Sequence, residues 1–272
     1  MTTHRDRYLK RGLRRVHGWL FPYSAQFIRS VVEVQVQAGE TGALAEIGVH
    51  HGKLFILLAL SAQPGETALA IDVFGDQHLN MDQSGRGDRA VFQQNIHRWA
   101  PSANVKIVQK SSLDVTAAEI LAACGPVRLA SIDGGHTEEC VQNDLRLMEA
   151  SLTPRGVVIL DDYFNQSWPG VSSGTARYLL DPTTRLRPFA ISPNKLYLAF
   201  DEALAFYRAA LRNKDAYYYE RSARFMDCDV DIYGTHDYTF AFRRQVIDVV
   251  KRTPLGPYLR TVYTSMRRRN AR

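Results

Sequence analysis

The sequence predicts an α/β fold, a mostly parallel sheet with helices on both faces and helical segments at either end. Three observations carry this. From residue 41 onward, short apolar runs alternate with helical stretches, as in a sheet whose strands are buried on both sides. A glycine-bearing loop, Gly48 to Gly52, joins the first apolar run to a helix. Three of the runs finish in acids, at Asp72, Asp133 and Asp161.

Taken in order, strands are expected at Ala43–Gly48, Ala68–Asp72, Val105–Gln109, Val127–Asp133 and Gly156–Asp161. Helices fall between them at about Lys53–Ala62, Asp88–Trp99, Val115–Ala123 and Glu138–Ser151. Asp88, Asp114 with Thr116, and Thr137 signal helix starts. Pro154-Arg155-Gly156 breaks the fourth helix and launches the fifth strand. Gly170–Leu180 then enters a helix. Leu186–Ile191 and Leu196–Phe200 form an antiparallel pair turned at Ser192–Asn194. Residues 203–226 and 243–268 read as helices with aromatic and arginine faces, and residues 6–37 as helices broken at Pro22. No repeat or linker divides the chain, which is one domain: an extension over 1–40, a core over 41–201 and a second extension over 202–272.

The 272 residues are 45% apolar, enough to fill a core and to exclude a disordered chain. The formal charge is +6, which first points to a polyanion. Its distribution does not: residues 1–20 carry +5 and residues 243–272 carry +8, leaving the body at −7. Nucleic-acid binding, if any, belongs to the basic ends, and none is expected at an acidic centre. Cys124, Cys140 and Cys228 are odd in number and widely spaced, which argues against zinc or a disulfide framework and fits a reducing cytoplasm. No apolar run approaches the ~20 residues of a membrane span, and no secretory signal is evident.

The loop Glu46-Ile47-Gly48-Val49-His50-His51-Gly52 has the spacing G-x-x-x-G after an acid, not the G-x-G-x-x-G of a dinucleotide site. It resembles motif I of class I S-adenosylmethionine (SAM) methyltransferases; a plain structural turn is the alternative. Asp72 ends the second strand about 24 residues later, where an acid bonds the ribose hydroxyls of an adenosine in either kind of cofactor. Ser111 and Ser112 follow the third strand, where the methyltransferases contact adenine and where a serine turn is equally ordinary.

Ser131-Ile132-Asp133-Gly134-Gly135-His136 and Leu160-Asp161-Asp162-Tyr163-Phe164-Asn165 are the most informative segments. If their strands are neighbours, the tips lie about 5 Å apart. Three carboxylates there repel one another unless a cation compensates, and oxygen donors with open positions suit Mg²⁺. A helix cap at Asp133 and loop acids at Asp161 and Asp162 are the bland alternative. His136, three residues after Asp133, titrates near working pH and is placed to act as a base, or simply to cap a helix.

Together, E-I-G-V-H-H-G-K, I-D-V-F, S-I-D-G-G-H and L-D-D-Y-F-N resemble the Mg²⁺-dependent small-molecule O-methyltransferases. That group includes the macrolide-sugar (macrocin, mycinamicin) enzymes, cephalosporin-hydroxylase-like proteins and the 1-O-methyltransferases of methylmannose polysaccharide biosynthesis. The resemblance spans roughly residues 41–200. It implies a Rossmann-like class I methyltransferase fold with a seven-stranded, mostly parallel sheet. It implies SAM held by Glu46, Ile47, Gly48, His51, Gly52, Asp72, Ser111, Ser112 and Asp133, and Mg²⁺ held by Asp133, Asp161 and Asp162. His136 becomes the catalytic base. Asp161 stands where some relatives carry Glu, which puts only the coordination geometry in doubt.

The expected acceptor is a carbohydrate hydroxyl, a partly methylated mannoside in polysaccharide biosynthesis. Trp168, Tyr163 and Phe164 offer rings to a pyranose face, Asn165, Asn80 and Gln77 offer polar groups to hydroxyls, and His236 enters from the extension. Ordinary loop packing is the alternative for each. The polar insert Phe74–Asp88 is expected to close over substrate as a lid. A catechol-type or antibiotic-tailoring methyltransferase shares this chemistry. A nucleic-acid-binding protein and an NAD oxidoreductase are the readings from other classes. Helical ends with apolar stripes favour a homodimer.

Overall fold

A computed structural model describes residues 3–215 and 218–234. The expected helix 243–268 and His236 lie outside the described residues.

The N-terminal segment comprises α1 (His4–Arg7), a π-helical turn at Tyr8–Gly12, an irregular stretch and α2 (Pro22–Gln37). Pro22 starts α2 instead of breaking a helix: its missing N–H falls where no intrahelical bond is due. The core then runs β1 (Ala43–Ile47), α3 (Phe55–Ala59), β2 (Ala68–Ile71), α4 (Arg89–Trp99), β3 (Val105–Val108), α5 (Ala117–Cys124), β4 (Val127–Ile132), α6 (Glu138–Glu149) and β5 (Leu152–Asp161). Asp88 caps α4 by accepting from the Ala90 and Val91 amides. Thr116 closes a capping box with Glu119 on α5, so the cap is Thr116 and not Asp114, which ends a preceding 3-10 turn. β5 begins at Leu152, upstream of Pro154. Residues 153–155 are where its pairing with β4 lapses, between Leu152↔Val127 and Val157↔Leu129, so the proline forfeits no ladder bond.

After α7 (Pro169–Leu180) come the expected antiparallel pair, β6 (Leu186–Ser192) and β7 (Lys195–Phe200), then α8 (Asp201–Lys214). The helix expected over 203–226 stops at Lys214. Residues 219–233 are instead a hairpin, β8 (Tyr219–Phe225) and β9 (Cys228–Tyr233). Its two-residue turn, Met226-Asp227, has φ of 45° and 56°, the left-handed pair that matches strand twist. Cys228-Asp229-Val230-Asp231-Ile232-Tyr233 contains the alternation of a strand; the arginines and aromatics before it also fit a helix face, hence the wrong expectation. Arg208 and Arg212 of α8 reach the buried Asp231 at 3.3 and 2.6 Å and tie the hairpin to the helix.

Among the described residues the sheet therefore has nine strands, not seven, in the order β3-β2-β1-β4-β5-β7-β6-β9-β8. The half from β3 to β5 is parallel; β7 runs antiparallel to both its neighbours. One face is covered by an apolar layer that includes Phe27 and Val31 of α2, Leu57 of α3, Phe92 of α4 and Tyr207 of α8. The other is covered by Ile120 of α5, Leu145 and Met148 of α6, and Tyr178 of α7.

Strand register sets the site. Ile71, Ile47, Ile132 and Leu160 stand abreast across β2, β1, β4 and β5. The next residue on each strand, Asp72, Gly48, Asp133 and Asp161, therefore forms a row along one edge. Chain order reverses between β1 and β4, and the crevice beyond such a switch point is where open α/β sheets bind ligands.

Candidate active site

A cavity of about 550 Å³ opens beyond that row. One half is built from the loops after β1, β2 and β3. Gly48 has φ of 82°, and a Cβ there would sit 1.8 Å from the Asp133 carbonyl oxygen. Only glycine lets the β1 and β4 tips approach this closely. The His50 amide donates to Asp72 Oδ2 at 2.8 Å and the Phe74 amide to Oδ1 at 2.6 Å, so Asp72 fastens two loops while lining the cavity. Burial raises its pKa, against those amide bonds. Ile47, Gly48, Asp72, Ser111, Ser112 and Asp133 all line the cavity.

Three of the residues assigned to the cofactor are not on its wall. Glu46 is buried within β1; burial, then the neighbouring Asp133 charge, raises its pKa well above the carboxylate range, and its Oε2 has no hydrogen-bond partner. Gly52 faces the Phe92 ring, 3.0 Å from where a Cβ would be. His51 stacks on His50 with ring centroids 3.8 Å apart.

The other half gathers charge. His136 Nε2 lies 3.2 Å from Asp162 Oδ2 and 3.9 Å from Asp133 Oδ1. Its Nδ1 and its backbone amide both meet Asp82 Oδ2 at 2.6 Å. Trp168 stacks on the imidazole at 4.3 Å. Burial works against a charged His136, but Asp133, Asp162 and Asp82 outweigh it and raise the pKa to about 11. Asp162 has φ of 58°, and its Oδ1 accepts from Asn165 at 3.0 Å and Asn194 at 2.5 Å.

Asp161 is engaged differently from its two supposed co-ligands. It pairs directly across the β5–β7 ladder with Lys195, whose ammonium is ion-paired to its Oδ2. Lys195 is buried, yet the Asp161 and Asp133 carboxylates overcome burial and hold it charged. Asp161 Oδ1 accepts from the Asp162 amide at 2.9 Å and from Asn194 at 3.2 Å. The structure thus brings Asp133, His136 and Asp162 into one cluster, with ligand atoms within 4.8 Å of one another, and turns Asp161 towards Lys195. Two cations, His136 and Lys195, face four carboxylates, those of Asp82, Asp133, Asp161 and Asp162. That oxygen-rich, charge-deficient donor set fits a hard divalent cation.

Of the acceptor candidates, Gln77, Asn80, Asn165 and Trp168 line the cavity. Tyr163 does not: its ring is buried edge-on against Phe164 and Phe225, because the chain turns inward after Asp162. The 74–88 insert forms a wall whose Asp82 grips His136. Sequence reasoning missed Asp82, Asn194 and Lys195, and also Trp19, Leu20 and Phe21, which line the cavity from the N-terminal segment. Lys195 left a signal, a lysine opening an otherwise apolar strand, Lys195-Leu196-Tyr197-Leu198-Ala199-Phe200.

Beneath Gly134, Asp144 of α6 is fully buried with Oδ2 unpartnered; burial lifts its pKa to about 6 against bonds from Ser112 and Asn143. The folded value exceeds the unfolded one of about 3.9, so ionisation opposes folding, and stability falls as pH rises between about 4 and 6. Asp144→Asn is expected to be about 2–3 kcal/mol more stable than the parent at pH 8, with the gain gone at pH 4. Urea unfolding at both pH values checks this, and a gain independent of pH counts against it.

Residues 45–163, from β1 to just beyond the β5 tip, match a family described as a methyltransferase domain. Among solved structures, the chain resembles the O-methyltransferase NovP, with a TM-score of 0.53 and 18% identity over 65% of this chain and 80% of that one. Cofactor-bound Rv0187 from MTB gives 0.51 and 17% over 72% and 88%. The O-methyltransferase from Bacillus cereus in complex with SAH gives 0.50 and 16% over 72% and 89%. At these identities the shared property is the fold. No match was found among curated proteins. No helix among the described residues is long and apolar enough to cross a membrane.

Proposed function

We propose that this methyltransferase transfers the methyl group of SAM to a hydroxyl oxygen of a small carbohydrate, assisted by Mg²⁺. One observation carries the reading: a single cavity at the β1/β4 switch point joins the Gly48–Asp72 cradle to the carboxylate cluster around His136. The likeness in fold to O-methyltransferases, one of them in complex with SAH, supports it.

Asp72 keeps free lone pairs for the ribose hydroxyls, and the bare Gly48 backbone admits the methionine portion. Asp133 and Asp162 would hold Mg²⁺, with Asp161 shared between the metal and Lys195. Bound there, the ion supplies an anchor for a substrate oxygen and a lower hydroxyl pKa. Asp82 and Trp168 fix the His136 ring so that Nε2 faces the site; with Asp133 and Asp162 neutralised by a bound cation, Nε2 would be free of its proton and accept one from the substrate hydroxyl. SAM brings its own electrophile, so the protein's part is orientation and exclusion of water. Trp168 offers a flat face to a sugar ring, and Gln77, Asn80 and Asn165 offer amides to its hydroxyls. A partly methylated mannoside is the acceptor to try first.

Calorimetry with SAH tests the cofactor half. Asp72→Asn, which keeps one acceptor for the loop amides, is expected to weaken SAH binding by about tenfold to a hundredfold, the loss of one or two charge-assisted bonds. Tighter binding of NAD than of SAH would overturn the reading.

A further inference from the structure

A second cluster of ligating side chains lies outside the carboxylate site. His17 comes from the irregular stretch before α2, His50 and His51 from the loop after β1. Each offers one ring nitrogen, and the three atoms lie within 4.8 Å of one another. The His17 ring centroid is 5.4 Å from that of His50 and 5.6 Å from that of His51. His50 Nδ1 and His51 Nδ1 are buried without a hydrogen-bond partner among the described residues. An imidazole nitrogen stripped of water and left unpaired is destabilising, and a metal ion is the kind of partner that removes the deficit.

We propose that His17, His50 and His51 form a site for a nitrogen-preferring divalent transition metal of the Zn²⁺ class. Imidazole donors suit Zn²⁺, Ni²⁺ and Cu²⁺, whereas Mg²⁺ prefers oxygen, so the two clusters of this chain select different ions. Three nitrogens leave a fourth position for water or a ligand. Both ligand-bearing segments are held by bonds of their own. Lys53 Nζ donates to the Gly18 carbonyl at 2.8 Å, Tyr8 Oη donates to the Lys53 carbonyl at 2.6 Å, and Asn95 Nδ2 donates to the His51 carbonyl at 3.0 Å. Two Zn–N bonds of about 2.1 Å span at most about 4.2 Å, so nitrogens now within 4.8 Å need close in only slightly, with the stacked His50 and His51 rings turning so that their lone pairs converge. Bound metal would staple the segment that carries Trp19, Leu20 and Phe21 to the glycine loop, on the cavity rim.

The test uses tag-free, chelator-stripped full chain in saturating Mg²⁺, titrated with Co²⁺ as a visible-absorbing probe and then with Zn²⁺. The expected result is one equivalent of Co²⁺ with visible bands, displaced by Zn²⁺. Its affinity should fall at least tenfold in His17→Gln and in His51→Gln, and hold in Asp162→Asn. His17 is exposed, so His17→Gln should fold normally, which circular dichroism verifies. Absent bands, binding indifferent to His17→Gln, or binding lost only in Asp162→Asn would each overturn the proposal. Those outcomes would leave the three rings as an aromatic cluster with Trp19, whose ring lies 5.3 Å from that of His50.

Discussion

Asp162→Asn is expected to lower kcat by about a thousandfold while leaving SAH affinity within about threefold of the parent. Asp162 faces His136 at 3.2 Å and accepts from Asn165 and Asn194, so its carboxylate is fixed beside the proposed base. The amide keeps the shape but removes the charge that would bind a divalent ion and pair with the imidazole. Asp72 and Gly48 line the other half of the cavity, and the side-chain oxygens of Asp72 accept from the His50 and Phe74 amides, away from Asp162. A loss in turnover without a loss in cofactor binding is therefore the signature. Steady-state rates with labelled SAM, beside SAH calorimetry, measure both. Parent-like turnover would remove Asp162 from the chemistry, and loss of SAH binding would make it a structural residue.

Asp161→Ala is expected to act first on stability. Its partner Lys195 has a side chain only 3% exposed, and removing the carboxylate strands a buried ammonium. Breaking a buried pair in this way typically costs about 3–5 kcal/mol. The Asp133 carboxylate also acts on Lys195 and can relieve part of the deficit, so the loss should fall near the lower end, about 3 kcal/mol. The double variant Asp161→Leu with Lys195→Met leaves no stranded charge and should recover most of it, since apolar replacement of a buried pair is often neutral. Urea midpoints with an unchanged m-value report this. A single-variant loss below about 1 kcal/mol would mean that Lys195 finds another partner or water.

The parallel half of the sheet was legible because four of its five strands, β3 excepted, are mostly apolar runs that end at a glycine or an acid. That punctuation put Asp72, Gly48, Asp133 and Asp161 at the carboxyl ends of their strands; that they form one row is set by the register. Partners that depend on distant pairing were not legible. Lys195 reaches Asp161 only because β7 folds back antiparallel on β5, and Asp82 reaches His136 from 54 positions away in sequence. The 219–233 hairpin was hidden because its arginines and aromatics satisfy both a helix face and an alternation. Tyr163 was misplaced for a related reason: a ring beside two catalytic-looking acids points into the core once Asp162 adopts its left-handed turn.

The central claim, methyl transfer from SAM to a sugar oxygen at the Asp133–His136–Asp162 cluster, is tested most directly by one assay. Purified full chain is incubated with methyl-labelled SAM and a panel of glycosides that includes partly methylated mannosides, with a catechol for comparison. Each reaction is run with Mg²⁺ and with EDTA. The expected result is label on a glycoside hydroxyl, abolished by EDTA, restored by Mg²⁺ and absent in Asp162→Asn. Transfer that ignores EDTA, or label on the catechol and on no glycoside, would contradict it.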